Sequence, residues 1–216
     1  MNAPLITFEG TEGCGKSTQI ELLATRIHGL GYRVRVFREP GGTPVGEEIR
    51  HTLKHSKNNA AMTPEAELLL MNASRAQLVR EVIRPALASG EIVLCDRFYD
   101  STTAYQGYGR GLELALVKNV IDFAVGETRP MLTLFLQVPP EVSSERLRSR
   151  QSILPFARDR LEEADRNFFD RVAKGFQAVA AAEPERVRVL DGTGTVEAVH
   201  ARIWELVQPI LPRVGR

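Results

Sequence analysis

The chain has 216 residues, 43% hydrophobic and 25% charged. It is long enough to bury roughly 70–75% of its unfolded surface with no disulfide or metal staple. A net charge of +1 argues against a broad nucleic-acid surface. No run approaches the about 18 apolar residues that a transmembrane helix requires, so no membrane partner is expected.

Of the 28 cations only five are Lys (16, 54, 57, 118 and 174), so Arg, the better fork for phosphate and carboxylate, dominates. Cys14 and Cys95 stand far apart in no metal-like spacing, and MNAPLITFEG lacks a basic n-region and a long apolar stretch. Both features fit a soluble protein of the reducing cytoplasm.

In chain order, Leu5–Glu9 is a short apolar strand ending in Gly, followed by helical spacing of Ile20, Leu23, Ala24, Ile27 and Leu30. Arg33–Arg38 alternates as a strand and stops at Pro40-Gly41-Gly42. The pattern over Pro64–Ser89 predicts a helix kinked at Pro85. Ile92–Cys95 is a brief strand before Asp96, and Leu112–Val125 is helical. Met131–Val138 is too apolar for a one-sided strand and is placed centrally. Val187–Leu190 is the last strand and Val196–Ile210 the last helix. Five apolar strands separated by helices predict an α/β fold, a five-stranded parallel sheet with helices on both faces, in a single domain spanning 1–216. Gln151–Ala157 (QSILPFA) is the one irregular stretch, and its Arg-rich flanks mark a short lid over about 146–160.

The most specific local motif is Gly10-Thr-Glu-Gly-Cys-Gly-Lys16-Ser17, which satisfies G-x-x-x-x-G-K-[ST] between the first strand and the first helix. Gly10, Gly13 and Gly15 permit a tight path, and the backbone N–H groups of the loop and helix N-terminus face an anion. Lys16 is then placed at β- and γ-phosphates and the Ser17 hydroxyl at Mg²⁺. Thr11, Glu12, Cys14 and Thr18 complete the nucleoside-triphosphate site, Cys14 as a spacer. A guanine-reading N-K-x-D is absent, although Asp191-Gly-Thr-Gly194 fits D-x-x-G. The third strand ends Cys95-Asp96-Arg97 rather than in paired acids. Asp96 suits a magnesium-water anchor and Arg97 a second anion, an arrangement better adapted to placing an acceptor phosphate than to activating water.

FEGTEGCGKST, FREPGGTPVGEEIR, SRAQLV, LCDRFYDSTTAYQGYGRG and DRLEEADRNFFDRV together resemble the bacterial thymidylate kinase family over nearly the whole chain. The resemblance implies a P-loop kinase of homodimeric, adenylate-kinase-like fold that transfers the γ-phosphoryl of ATP to dTMP with Mg²⁺. Carried over by position, it places Glu12, Glu39, Arg50, Arg75, Arg97, Ser101, Thr102, Tyr105 and Gln106 at dTMP. In that reading Arg97 and Arg50 hold the acceptor phosphate. Arg75 and Gln106 read the thymine edge, Glu12 accepts from the sugar 3′-hydroxyl, and Tyr105 fills the space of a ribose 2′-hydroxyl. Met71 stands where the family usually has a Phe stacked on thymine.

Arg146, Arg148, Arg150, Arg158, Arg160 and Arg166 crowd around the irregular stretch, while the cradle itself has no Arg. Guanidinium stabilisation of the transferring phosphoryl group therefore falls to the lid, with Arg150 and Arg158 the leading catalytic candidates beside Lys16, Asp96 and Arg97, and Arg146 against adenine. No His lies in these motifs. A nucleoside monophosphate has a second pKa near ~6, so its oxygen is largely ionised at neutral pH and needs no general base. The rival readings are a deoxynucleoside kinase with Glu39 as base, another nucleoside monophosphate kinase, and an ATPase or switch without an acceptor.

Overall fold

The computed structural model describes residues 3–153 and 166–212, with side chains described up to Ser149 and again from Arg166. Among them, β1 (Leu5–Glu9), β2 (Val34–Arg38), β3 (Ile92–Asp96), β4 (Leu132–Gln137) and β5 (Val187–Asp191) form one parallel sheet in the order β2-β3-β1-β4-β5. The registers Leu5↔Val93, Ile6↔Leu132 and Arg38↔Asp96 bring the carboxyl ends of β1, β3 and β2 to one edge. The chain leaves β1 toward β2 and β3 on one side and crosses to β4 on the other. The crevice beyond β1 and β3 is thus a topological switch point, where such sheets bind ligands.

Each expected strand is present to within one residue at either end. Their near-continuous apolar character follows from burial on both faces. Ile6, Phe8, Leu94, Leu134 and Leu136 pack against α1 (Lys16–Gly29) and α9 (Val196–Val207). Leu5, Val93 and Cys95 point the other way, into a core shared with α3 (Pro64–Leu78), α4 (Arg84–Ala88) and α6 (Leu114–Val125). The helices begin where the sequence offers a cap: Thr43, Thr63 and Thr195 each accept the N–H of the residue three ahead. Each such cap contributes about 1 kcal/mol. Pro44 and Pro64 follow at the position that has no need of an N–H. Among the described residues no helix is long and apolar enough to cross a membrane.

Three local features add to or differ from the sequence reading. The helix over 64–89 is not one uninterrupted α-helix. α3 runs into a wide π turn, Val79–Ile83, and on into α4 with right-handed helical angles at each junction. The wide turn stands just ahead of the ring, where the Pro has no N–H to give to the helix ladder. Gln151–Ile153 is helical, as the end of α7 (Pro140–Ile153), rather than irregular, while 154–157 lie outside the described residues. The Tyr99–Gly109 stretch, unassigned from sequence, forms α5 (Tyr99–Thr102) and a second π turn, Thr103–Gly109.

That second π turn is held by α8 (Arg166–Ala182), whose Phe168, Val172 and Phe176 pack on Ala104, Tyr105 and Phe135. Close approach depends on glycine. A Cβ on Gly175 would lie 2.9 Å from the Ala104 Cα and 3.0 Å from the Tyr108 Cβ, neither of which can rotate away. Gly175→Ala is therefore expected to cost about 2 kcal/mol, lowering the melting temperature by about 6 °C in a thermal unfolding experiment.

Candidate active site

Gly10–Ser17 wraps the space between β1 and α1. Gly10, Gly13 and Gly15 adopt φ of 137°, 73° and 102°. A Cβ at Gly10 would collide with the Leu136 carbonyl, so β4 approaches this turn as closely as the chain allows. Lys16 is buried and curls back over its own loop, its Nζ donating to Gly10 O at 3.1 Å and Thr11 O at 3.0 Å. Cys14 is buried beneath it, its Sγ 3.7 Å from the ammonium, in keeping with a spacer role. Thr18 is exposed in the first turn of α1.

Ser17 Oγ donates to Asp96 Oδ2 at 3.1 Å, joining the helix start to the end of β3. Two adjacent hard oxygen donors fit a Mg²⁺ that takes its other ligands from phosphate and water. No group of three or more His, Cys, Asp or Glu converges among the described residues, so no all-protein cage competes with this placement.

A cavity opens beside the loop, lined by Glu12, Glu39, Met71, Arg75, Arg97, Ser101, Thr102, Tyr105 and Gln106. Every expected acceptor residue but Arg50 is therefore in one pocket. Arg50, on α2 (Pro44–Lys54), instead donates to Pro40 O at 2.9 Å, bracing the wall from behind. One turn further along α2, Lys54 lines the pocket, as do Pro40, Phe98 and, from α8, Phe169. Sequence reasoning missed these four. Phe169 places an aromatic ring in the same wall system as Met71, whose own position lacks one.

Arg97 stands at the border of loop and pocket with φ of 67°, a left-handed conformation uncommon outside glycine. Its backbone N–H donates to Phe8 O, which holds that turn against β1. The guanidinium donates to Glu12 Oε1 at 3.1 Å and Ser101 Oγ at 3.2 Å and lies 5.2 Å over the Tyr105 ring. Burial raises the Glu12 pKa, but Arg97, Lys16 and Lys54 outweigh it and hold the carboxyl at about 2. Burial raises the Tyr105 pKa more than Arg97 lowers it.

Below this pair sits Glu9, a fully buried carboxylate that sequence reasoning passed over as a strand residue. It accepts from Phe98 N–H at 2.8 Å, Ser101 N–H at 3.3 Å and Ser101 Oγ–H at 2.6 Å, latching the turn that carries Arg97. Burial and the nearby Asp100 charge push its pKa up to about 7, against the pull of Arg97 and these hydrogen bonds. Asp100 itself is held by Arg186 at 2.7 Å and 2.8 Å and by Thr133. Folded protein retains the Glu9 proton to about pH 7, whereas an ordinary carboxyl releases it near 4.5. Its contribution to stability is thus full below that window and lost as pH rises through it. In thermal melts the advantage of Glu9→Gln over wild type is expected to grow from about pH 5 to about pH 8. A pH-independent difference would contradict the assignment.

At the other end of the pocket Arg75, almost fully buried, donates through Nε to Glu39 Oε2 at 2.8 Å and through Nη1 to Asn72 Oδ1 at 2.8 Å. Its Nη2 reaches Glu39 Oε2 at 2.7 Å and Phe98 O at 3.3 Å. Burial raises the Glu39 pKa despite Arg75. Glu39 Oε1 is buried without a hydrogen-bond partner.

A second, wider cavity leads from Thr11 and Glu12 past Ser143 and Arg148 to Arg166 and Asp191. Arg146 donates to Gly13 O at 3.5 Å and Gly192 O at 2.9 Å, and so joins the cradle to the turn after β5. Asp191 closes that turn by accepting from Thr193 N–H and Oγ–H, so the D-x-x-G match is a turn lock. Arg148 Nε donates to Ser144 O within α7. Of the lid candidates, the Arg150 side chain and the whole of Arg158 and Arg160 lie outside the described residues.

A family model described as thymidylate kinase matches residues 8–203. The thymidylate kinase of Synechococcus sp. (strain JA-2-3B'a(2-13)) is 48% identical over 207 residues, covering 96% of this chain and 95% of its own. That of Geobacter sp. (strain M21) is 46% identical over 212 residues, covering 98% and 94%. The crystal structure of thymidylate kinase from Ehrlichia chaffeensis superposes with a TM-score of 0.76 at 31% identity, over 96% of this chain and all of that one. Sequence and overall fold thus agree, and the chain belongs to the thymidylate kinase family.

Proposed function

We propose that this protein phosphorylates dTMP to dTDP with ATP as donor. The observation that carries the reading is the Glu12–Arg97 pair, which stands where the triphosphate cradle meets the acceptor pocket. A donor held by the cradle and a monophosphate held by Arg97 share that border, and in-line transfer requires this alignment. Ser17 and Asp96 would hold Mg²⁺, which when bound neutralises charge on the donor phosphates. Lys16 supplies a fixed positive charge at the transferring group, and Arg97 orients the attacking oxygen of the acceptor. The loop N–H groups fix the donor, and Arg146, which ties the cradle to the turn after β5, is the proposed residue against adenine. Arg150 and Arg158 remain the proposed lid cations.

A deoxynucleoside kinase would need a free carboxylate base and no acceptor-phosphate cation. Glu39, the residue such a reading relies on, has its Oε2 hydrogen-bonded to Arg75 Nε and ion-paired with Arg75 Nη2. A coupled ADP-release assay with ATP and Mg²⁺ tests the reading with dTMP, dUMP, AMP, UMP and thymidine as acceptors. Turnover fastest with dTMP is expected, and turnover fastest with thymidine would overturn the reading.

The same reading includes a homodimer. Leu69 on α3 and Leu116 and Phe123 on α6 are exposed on two helices that pack side by side, with Phe123 82% exposed. Pairing of two copies through these helices buries that apolar face. Light scattering should then report a dimer for the wild type and a monomer for Phe123→Asp. The two free, buried cysteines support a cytoplasmic location.

A further inference from the structure

Glu67 is a fully buried carboxylate on α3 that belongs to no motif. Its Oε1 accepts from Gln106 Nε2 at 2.7 Å, and Arg110 reaches it through Nε at 3.2 Å and Nη2 at 3.0 Å. Arg110 is in turn held 4.6 Å over the Phe168 ring, so the carboxylate is anchored from behind. A carboxylate offers only acceptors, so Gln106 must turn its NH₂ to Glu67, whichever way its amide would otherwise settle. The Gln106 carbonyl oxygen is left on the pocket side, with no partner among the described residues.

Arg75 has the complementary remainder. Its hydrogen bonds to Glu39, Asn72 and Phe98 O use three of its five N–H groups, and the second Nη2 N–H stays in the ion pair with Glu39, leaving one on Nη1. The pocket therefore offers one donor and one acceptor to a flat ring edge. An imide edge, a carbonyl beside a ring N–H, matches that pair. An aminopyrimidine edge, an NH₂ beside a bare ring nitrogen, meets both groups with the wrong polarity.

We infer that Glu67 is a specificity-determining positioning residue: by fixing the Gln106 amide it makes the pocket accept imide pyrimidine monophosphates and reject aminopyrimidine ones. The inference rests on the pocket being the acceptor site of a pyrimidine monophosphate kinase. In Glu67→Gln, Arg110 takes the new carbonyl, and the new NH₂ faces Gln106. The Gln106 amide then turns over to accept, and its own NH₂ enters the pocket.

The test is titration calorimetry of dTMP and dCMP, with ATP as a control, on wild type and Glu67→Gln. The dissociation constant for dTMP should rise about tenfold and that for dCMP should fall, while ATP changes less than about twofold. A parallel loss for dTMP, dCMP and ATP, or no change in the dTMP:dCMP ratio, overturns the inference and leaves the pocket assignment standing. A wild-type protein that does not prefer dTMP overturns the pocket assignment as well. Should the variant not fold, the wild type decides. In ¹⁵N-labelled protein the Gln106 side-chain NH₂ protons should stay downfield and exchange-protected on saturation with dTMP. Their return to free-amide positions would show that the amide does not remain on Glu67.

Discussion

Lys16→Met is expected to lower kcat by about 10³-fold while leaving the dissociation constant for dTMP within about twofold. The ammonium sits inside the glycine loop on Gly10 O and Thr11 O, away from the acceptor pocket. Its removal takes away charge that meets the transferring group and leaves the acceptor contacts intact. A side chain of similar length and no charge keeps the packing over Cys14, so loss of fold is not the cause. Steady-state assays with saturating dTMP, together with calorimetric binding of dTMP alone, separate the two effects. A variant that loses dTMP affinity as much as turnover would place Lys16 in the wrong half of the site.

Arg97→Met should cut kcat/KM for dTMP by about 10³-fold, with most of the loss in binding and alignment of the acceptor. The guanidinium is the largest attraction on Glu12, whose pKa it helps hold at about 2. Without it Glu12 keeps a carboxylate beside an incoming phosphate and repels it. The double variant Arg97→Met, Glu12→Gln should therefore recover about tenfold of the loss, measured as kcat/KM in the same assay. Strict additivity of the two substitutions would show that Glu12 and Arg97 do not act on one acceptor phosphate.

The parts of this molecule that were legible in advance are those whose cause is local. The strand pattern needs only burial on two faces, and the phosphate loop needs only glycines, a Lys and a Ser in fixed order. The proposed acceptor residues became legible through the family likeness, and all but Arg50 line one cavity. What escaped depends on partners distant in the chain. Glu9 is latched to residues about 90 positions away, and Glu67 to residues about 40 away. Neither carboxylate differs in sequence from a surface Glu. Lys54 and Phe169 enter the pocket by helix phase and packing, which no spacing rule gives. The two π turns are likewise a matter of what α4 and α8 press against. The helical period at 79–83 and 103–109 carries no sign of the extra residue.

The ion pair at the border of the two proposed nucleotide sites has a consequence for ligand design. Folding equips Arg97 with a counter-ion of its own, so an incoming molecule trades places with a resident anion instead of filling a bare positive field. Compounds that mimic only the sugar and base gain nothing from that exchange. Those carrying a dianionic group at the matching end, together with a hydroxyl that Glu12 can accept, release both partners to better company at once.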